Sequence, residues 1–427
     1  MPKSPLMNIF TYRILSLLLL PVVLFRLILR SFKEPKYLNS LMNRLGFYSE
    51  SLRSLAGNKK IIWIHCVSVG ETKAALPLLK ILLKQYPNHH FLISHSTPTG
   101  KETELIDSKR IHRCFIPFDI KVSVNLFLNF FKPSIGLIFE TEIWPIMLCQ
   151  CKNKGIPVFL MNARLSQKSM NKYLKFKNFS SYVLGKFSMI CVQSKIDLQN
   201  FRKLTTNHIS ITGNTKFDYS NFSKIPSRKL IFKKNFKITD QMVIVAGSTR
   251  RGEEQLILDC FKKIQMKNLM LIIVPRHPQR FLEVENLIKS SGLSFIRKSN
   301  LAQCNETPQV ILGDSMGELS LYYELANIVI LGGSLKDFGS QNIIEPLMLG
   351  KSTIVGPSIY NFKDVIEKAE KQKLIFKLKK VEELEELIKS ILLGDKHDVD
   401  LKSIKNFLKK ESGASQRLAN IISQSLL

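Results

Sequence analysis

Acidic residues are scarce in this chain. Its 427 residues carry 34 Asp and Glu against 63 Lys and Arg, a formal net charge of +29. Such a field attracts anions: nucleic acid, an anionic membrane surface, or phosphorylated and carboxylated substrates. Lys, Asn, Ile and Phe are abundant throughout, and a compositional bias is the competing reading of the excess. Cysteine is sparse, with seven residues, no C-x-x-C pair, and Cys149 and Cys151 too close in sequence for an ordinary bridge. That excludes a zinc ribbon and a disulfide framework and fits a reducing compartment. There is no G-x-x-x-x-G-K-[ST], no G-x-G-x-x-G and no H-E-x-x-H. P-loop chemistry, the dinucleotide fingerprint and the common zinc-hydrolase site are therefore absent, and no metal is expected.

Charge is missing altogether from Ile14 to Phe25, a run (ILSLLLLPVVLF) preceded by Arg13 and followed by Arg26 and Arg30. The run is short for a full span, which needs about 20 apolar residues, but Asn8 to Leu29 reaches that length if the arginines snorkel. No small-residue cleavage site follows, so residues 1–32 are expected to be a retained membrane anchor rather than a removed signal. Lys33, Lys36 and Arg44 lie just beyond, which by the positive-inside rule puts the rest on the cytoplasmic side of the inner membrane.

After the anchor, apolar strand-like runs alternate with helical patterns. KIIWIHCVSV (60–69), HFLISHST (90–97), IGLIFE (135–140) and IPVFLMNA (156–163) read as buried strands, with a helix from Thr72 to Lys84. Residues 223–240 are basic and proline-punctuated, a linker. The alternation restarts with MVIVAGST (242–249), LMLIIVPR (269–276), IVILGGS (328–334) and STIVGPS (352–358). Strands alternating with helices predict α/β architecture with parallel sheets, so residues 33–222 and 241–400 are expected to be two Rossmann-like domains with ligands at the carboxyl ends of their strands. Residues 401–427 read as a C-terminal helix packing back across the domains.

The chemistry-bearing residues cluster at those strand ends. Glu71 opens the first helix after Gly70 and is a candidate general base, with a plain helix-start glutamate stabilised by the dipole as the alternative. Glu140 and Glu142 follow the third strand beside Trp144. Arg164 and Lys216 follow apolar runs and suit a carboxylate or phosphate. In the second half, Ser248 and Thr249 open a small-residue turn fit for a phosphate. Pro275 and Arg276 form a rigid turn presenting a guanidinium, and Asn342 leads to Glu345, a candidate acceptor for ribose hydroxyls. Asp398-Val399-Asp400 matches a D-x-D pattern with no strand before it and reads as solvated surface.

Together, WIHCVSVGE (63–71), STPTG (96–100), ETEIWP (140–145), NARLS (162–166), GNTKFD (213–218), GSTRRGEE (247–254), PRHPQR (275–280), DSMGEL (314–319) and GGSL…QNIIEP (332–346) resemble the bacterial 3-deoxy-D-manno-octulosonic acid (Kdo) transferases of lipopolysaccharide biosynthesis. The resemblance runs in order over nearly the whole chain. It implies a GT-B glycosyltransferase, two Rossmann-like domains facing across a cleft, that works without metal or cofactor. It also implies CMP-Kdo as donor and a lipid A precursor (lipid IVA) as acceptor, with inversion at the anomeric carbon. On this reading Glu71 is the catalytic base, and Glu140 and Lys216 support the transition state. The CMP-binding residues are Pro275, Arg276, Met316, Gly317, Glu318, Asn342 and Glu345. Gln341 and Arg250 depart from the family's usual residues. The same architecture would serve a transferase or epimerase using another nucleotide sugar. A nucleic-acid-binding protein would explain the charge but would need neither the apolar N-terminus nor the strand-end carboxylates, so no nucleic-acid partner is expected.

Overall fold

The computed structural model describes residues 8–32, 35–49, 52, 60–103, 105–106, 108–221, 238–303, 307–394 and 399–426. Most of the expected linker, Cys304 and Asp398 lie outside them. The chain divides into two compact units, Met1–Phe222 with Glu411–Leu427, and Ser223–Lys410.

The first unit holds a seven-stranded parallel sheet in the order β3-β2-β1-β4-β5-β6-β7. Its strands are β1 (Lys60–His65), β2 (His89–His95), β3 (Ile111–Phe115), β4 (Ile135–Phe139), β5 (Val158–Ala163), β6 (Met189–Val192) and β7 (Ile209–Ile211). Every residue of β4 and β5 is buried, as a strand covered by helices on both faces requires. Side chains alternate between two cores. Ile61 and Trp63 of β1 join Phe127 and Met147 on one face, and Ile62 and Ile64 join Leu78, Leu79 and Leu82 on the other.

The second unit repeats the design in the order β10-β11-β9-β8-β12-β13-β14. These are β8 (Met242–Thr249), β9 (Leu269–Pro275), β10 (Phe295–Arg297), β11 (Val310–Leu312), β12 (Ile328–Leu331), β13 (Ser352–Val355) and β14 (Phe376–Lys377). In each sheet the strand order reverses near the middle, between β1 and β4 and between β8 and β12, and in the second sheet β10 lies outside β11 at the edge. Open parallel sheets bind ligands outside the strand carboxyl ends at such a reversal.

Six strands carry no clear signal in the sequence: β3, β6, β7, β10, β11 and β14. Four of them are sheet edges, where one flank is unpaired and polar residues such as His112 and Arg113 are tolerated. The other two, β6 and β11, have only four and three residues.

The C-terminal segment corrects the expectation of one helix. It forms Leu401–Glu411 and Ala414–Leu426, broken at Gly413, which takes a left-handed φ of 90°. The second helix completes the first unit: Leu418, Ala419 and Ile422 enter the same core as β1. Asp218 fastens its start, accepting from the Gly413 and Ser415 amides at 2.5 and 2.6 Å.

The N-terminal helix Ile9–Ser31 has 23 residues, most of them apolar. It is long and apolar enough to cross a membrane, and Leu27 is its only buried residue. Leu18, Val22 and Phe25 are among the most exposed apolar side chains in the protein. Apolar and exposed in this way, the helix is a candidate membrane anchor.

Candidate functional site

In the first unit, five sequence motifs meet at the carboxyl edge of the sheet. Glu71 lies in the first turn of the helix Val69–Gln85, following β1. Glu140 follows β4, the neighbouring strand across the order reversal, with a left-handed φ of 58°. Lys216 lies on the 3-10 helix Thr215–Asn221, which follows β7 at the sheet edge. Although 76 residues separate them in sequence, Lys216 Nζ and Glu140 Oε1 are 2.6 Å apart, with both side chains less than one-fifth exposed.

Asn162 sets this meeting. At the end of β5 it takes a left-handed φ of 51°, and its Oδ1 accepts from the Thr215 amide at 3.1 Å. The residue beside Lys216 is thus tied to the strand next to β4. Non-glycine residues held at positive φ cost free energy and persist where the surroundings impose them. Glu140 and Asn162, at the ends of adjacent strands, are two such residues in one place. The STPTG motif supports the other side. Thr97 donates to the Val67 carbonyl at 3.1 Å, and a Cβ on Gly100 would come within 2.9 Å of the same oxygen. The turn that launches Glu71 therefore rests on a glycine.

The two carboxyls are pushed in opposite directions. Glu71 is 8% exposed, and burial, reinforced by the Glu140 charge, raises it from 4.5 to about 8. The Val67 amide, donating to Oε2 at 2.6 Å, opposes this but does not win. A glutamate serving only as a helix-start anion would be shifted the other way. Burial also works against the Glu140 charge, but Lys216 and Arg164 outweigh it and hold Glu140 below the ordinary carboxylate range. A carboxyl poised near neutrality beside one kept ionised is the arrangement that separates a proton acceptor from an electrostatic support. Arg164, just beyond β5, is the second cation acting on Glu140. Glu142, four residues before Ile146, is raised by burial.

In the second unit the expected residues also follow strand ends. Ser248 has a left-handed φ of 58°, and the Arg276 amide donates to the Thr249 carbonyl at 3.0 Å. Thr249 is fully buried and donates to Glu254 at 2.7 Å, so its hydroxyl is turned into the unit, and Ser248 is the half-exposed member of the pair. Pro275 ends β9, and Arg276 beyond it is half-buried. Burial and Arg250 weaken the Arg276 proton while Glu345 strengthens it. The Asn342 side-chain amide donates to Glu345 Oε1 at 3.1 Å, which aligns both after β12. Met316 and Gly317 are exposed beyond β11, and Glu318 pairs with Lys298 at 2.9 Å. Arg250, one of the two departures, lies 2.6 Å from His277 and stacks over Phe338 at 4.9 Å.

Sequence reasoning missed Glu253. Fully buried, it accepts from three amides: Arg250 at 2.7 Å, Gly333 at 2.7 Å and Leu335 at 2.9 Å. It therefore staples the turn after β8 to the turn after β12, across the order reversal. A Cβ on Gly332 would lie 2.3 Å from the Ser248 carbonyl, so these turns can approach only because that residue is glycine. Two consecutive acids after Gly252 were the available signal, and helix-start acids look alike in sequence. Glu254, beside it, holds Arg280 through both oxygens at 2.6 and 3.0 Å.

Two parallel-sheet units with polar groups gathered at their strand ends make the GT-B fold, and the family matches below make the chain a glycosyltransferase enzyme. Solved structures agree at the level of fold. A glycosyltransferase from Rickettsia africae superposes with a TM-score of 0.59 at 16% identity, covering 86% of this chain and 99% of that one. A UDP-GlcNAc 2-epimerase from Neisseria meningitidis does so at 0.57 and 15%, with the same coverage. The family model described as 3-deoxy-D-manno-octulosonic-acid transferase (Kdo transferase) matches residues 39–219, and that of group 1 glycosyl transferases matches residues 227–406. The 3-deoxy-D-manno-octulosonic acid transferase of Haemophilus influenzae is 33% identical over 424 residues, 97% of each chain. That of Bordetella pertussis is 31% identical over 72% of this chain and 74% of its own. The chain belongs to the Kdo transferase family.

Proposed function

We propose that this enzyme transfers Kdo from CMP-Kdo to the lipid A precursor lipid IVA, inverting the anomeric carbon, without a metal, in lipopolysaccharide core biosynthesis. The observation that carries the reading is the carboxyl pair of Glu71 and Glu140, driven apart in proton affinity by burial and by Lys216. Glu71 takes the proton of the acceptor hydroxyl as its oxygen forms the new bond to the anomeric carbon. The bond from that carbon to the CMP phosphate oxygen breaks, and the electron pair leaves with CMP.

The Arg276 guanidinium and the amides after β8 meet the phosphate's negative charge, which is how fixed groups replace a metal. Asn342 and Glu345 hold the ribose, and Pro275, Met316, Gly317 and Glu318 frame the rest of CMP. Lys216 and Arg164 keep Glu140 ionised, and Lys216 is also suited to the carboxylate of the donor sugar. The helix Ile9–Ser31 attaches the enzyme to the cytoplasmic face of the inner membrane, where the basic surface meets anionic headgroups.

A donor panel tests this. The protein is incubated with the tetra-acylated acceptor, with EDTA present, and with CMP-Kdo generated in place or with UDP-GlcNAc. Kdo mass increments on the acceptor with the first donor only are the expected result. Increments with the second donor alone would overturn the donor assignment, and loss of transfer in EDTA would overturn metal independence.

A further inference from the structure

A cavity of about 200 Å³ opens within the first unit between the N-terminal helix and the body. Tyr12, Ile143, Pro145, Tyr173, Phe179 and Val183 line it. Two of its polar groups are already committed. The Tyr12 hydroxyl donates to Asp119 at 3.1 Å, and Ser180, also on the wall, donates to the Tyr173 carbonyl at 2.9 Å. A chamber walled this way offers water little, and engineered apolar cavities of ~150 Å³ stay dry yet admit benzene. Its natural occupant is a hydrocarbon.

Two connections decide which hydrocarbon. One wall is Tyr12, on the helix that is long and apolar enough to cross a membrane, so lipid chains lie alongside it. Another wall, Ile143 and Pro145, is the segment leaving Glu140, three and five residues on. Asp119 locks the two walls together. Besides Tyr12 it accepts from the Ile146 and Met147 amides at 3.0 and 2.8 Å, at the start of the helix Pro145–Asn153. The Tyr12 and Phe179 rings close the floor with centroids 5.7 Å apart. The cavity wall and the Glu140 carboxylate thus belong to one short stretch of chain.

We propose that this cavity receives one acyl chain of the lipid acceptor, and so registers the acceptor's sugar head against the catalytic carboxyls. The proposal rests on the acceptor reading above. It makes the enzyme measure acylation as well as sugar structure.

The test uses the full chain in nanodiscs with two variants. Ser180→Leu fills the cavity, and Ser180→Ala removes the same hydroxyl bond without filling it. The acceptors are the tetra-acylated disaccharide and its O-deacylated form. Ser180→Leu should lower kcat/KM for the tetra-acylated acceptor about tenfold, the equivalent of about two methylenes at ~0.8 kcal/mol each, and should narrow the preference over the deacylated form. Ser180→Ala should keep that preference. Equal losses on both acceptors would overturn the proposal.

A second readout places a diazirine on an acyl chain of the acceptor and maps the cross-link. Label on residues 143–145 or 173–184, displaced by unlabelled acceptor but not by phospholipid, is the expected result. Label elsewhere, or label displaced equally by phospholipid, would sink it. Kdo transfer to unlabelled acceptor is measured in the same preparation. Intact transfer with misplaced label removes only the acyl-chain site, whereas no transfer removes the acceptor reading and the site with it.

Discussion

Replacing Glu71 by glutamine should abolish transfer and make the protein more stable. Burial, chiefly, holds the Glu71 carboxyl near 8 in the fold against 4.5 for an ordinary glutamate. A raised value means that the folded protein favours the protonated form. The stabilisation is therefore fully present below 4.5 and is lost as pH rises towards 8. Each pH unit in that window costs the wild type about 1.4 kcal/mol, so the buried Glu71 costs the fold about 5 kcal/mol above pH 8 and about 3 kcal/mol at pH 7. A glutamine at this position carries no charge and escapes this cost.

For a unit of this size, about 2–4 °C of unfolding midpoint corresponds to each kcal/mol. The glutamine variant should thus melt about 6–12 °C above the wild type at pH 7. The gap should shrink towards zero near pH 4.5 and level off above about pH 8. Thermal unfolding of wild type and variant in the same detergent, at pH 5, 6, 7, 8 and 9, reads this directly. A gap that does not change with pH would show that Glu71 is not the group whose ionisation the fold opposes, and the base assignment would lose its physical footing.

Three other outcomes follow from the same contacts. In the wild type, kcat/KM should rise about tenfold per pH unit below about 8 and flatten above it, because only ionised Glu71 can take the proton; a flat profile from pH 6 to 9 would refute this. Lys216→Met removes the cation that holds Glu140 low and that is suited to the donor carboxylate, and should cost about 10²–10³-fold in kcat and raise the KM for CMP-Kdo, as steady-state kinetics would show. Glu253→Ala leaves three amide groups without their acceptor; it should destabilise the protein by about 3 kcal/mol or more in denaturant titration and raise the KM for CMP-Kdo.

What was legible in the sequence was what burial on both faces imposes. IIWI and IGLIF are apolar throughout because helices cover both sides, and they announce β1 and β4 without ambiguity. Glu71, Glu140 and Arg276 stand out because a charge directly after such a run breaks the pattern. Edge strands leave no such mark: FIR and FK are half-buried and short. Contacts across long separations leave none either. Nothing in GNTKFD says that Lys216 reaches Glu140, or that Asp218 holds the start of a helix 195 residues away. The break at Gly413, which hands the last helix to the first unit, falls between two helical patterns close enough to read as one.

The central claim is that Glu71 drives Kdo transfer in this chain. Product mass from the tetra-acylated acceptor and CMP-Kdo, with wild type and the Glu71→Ala variant side by side, tests it most directly. Kdo increments from the wild type that disappear in an equally well-folded variant are the predicted result. No increment from folded wild type would contradict the reaction, and undiminished increments from the variant would contradict the base.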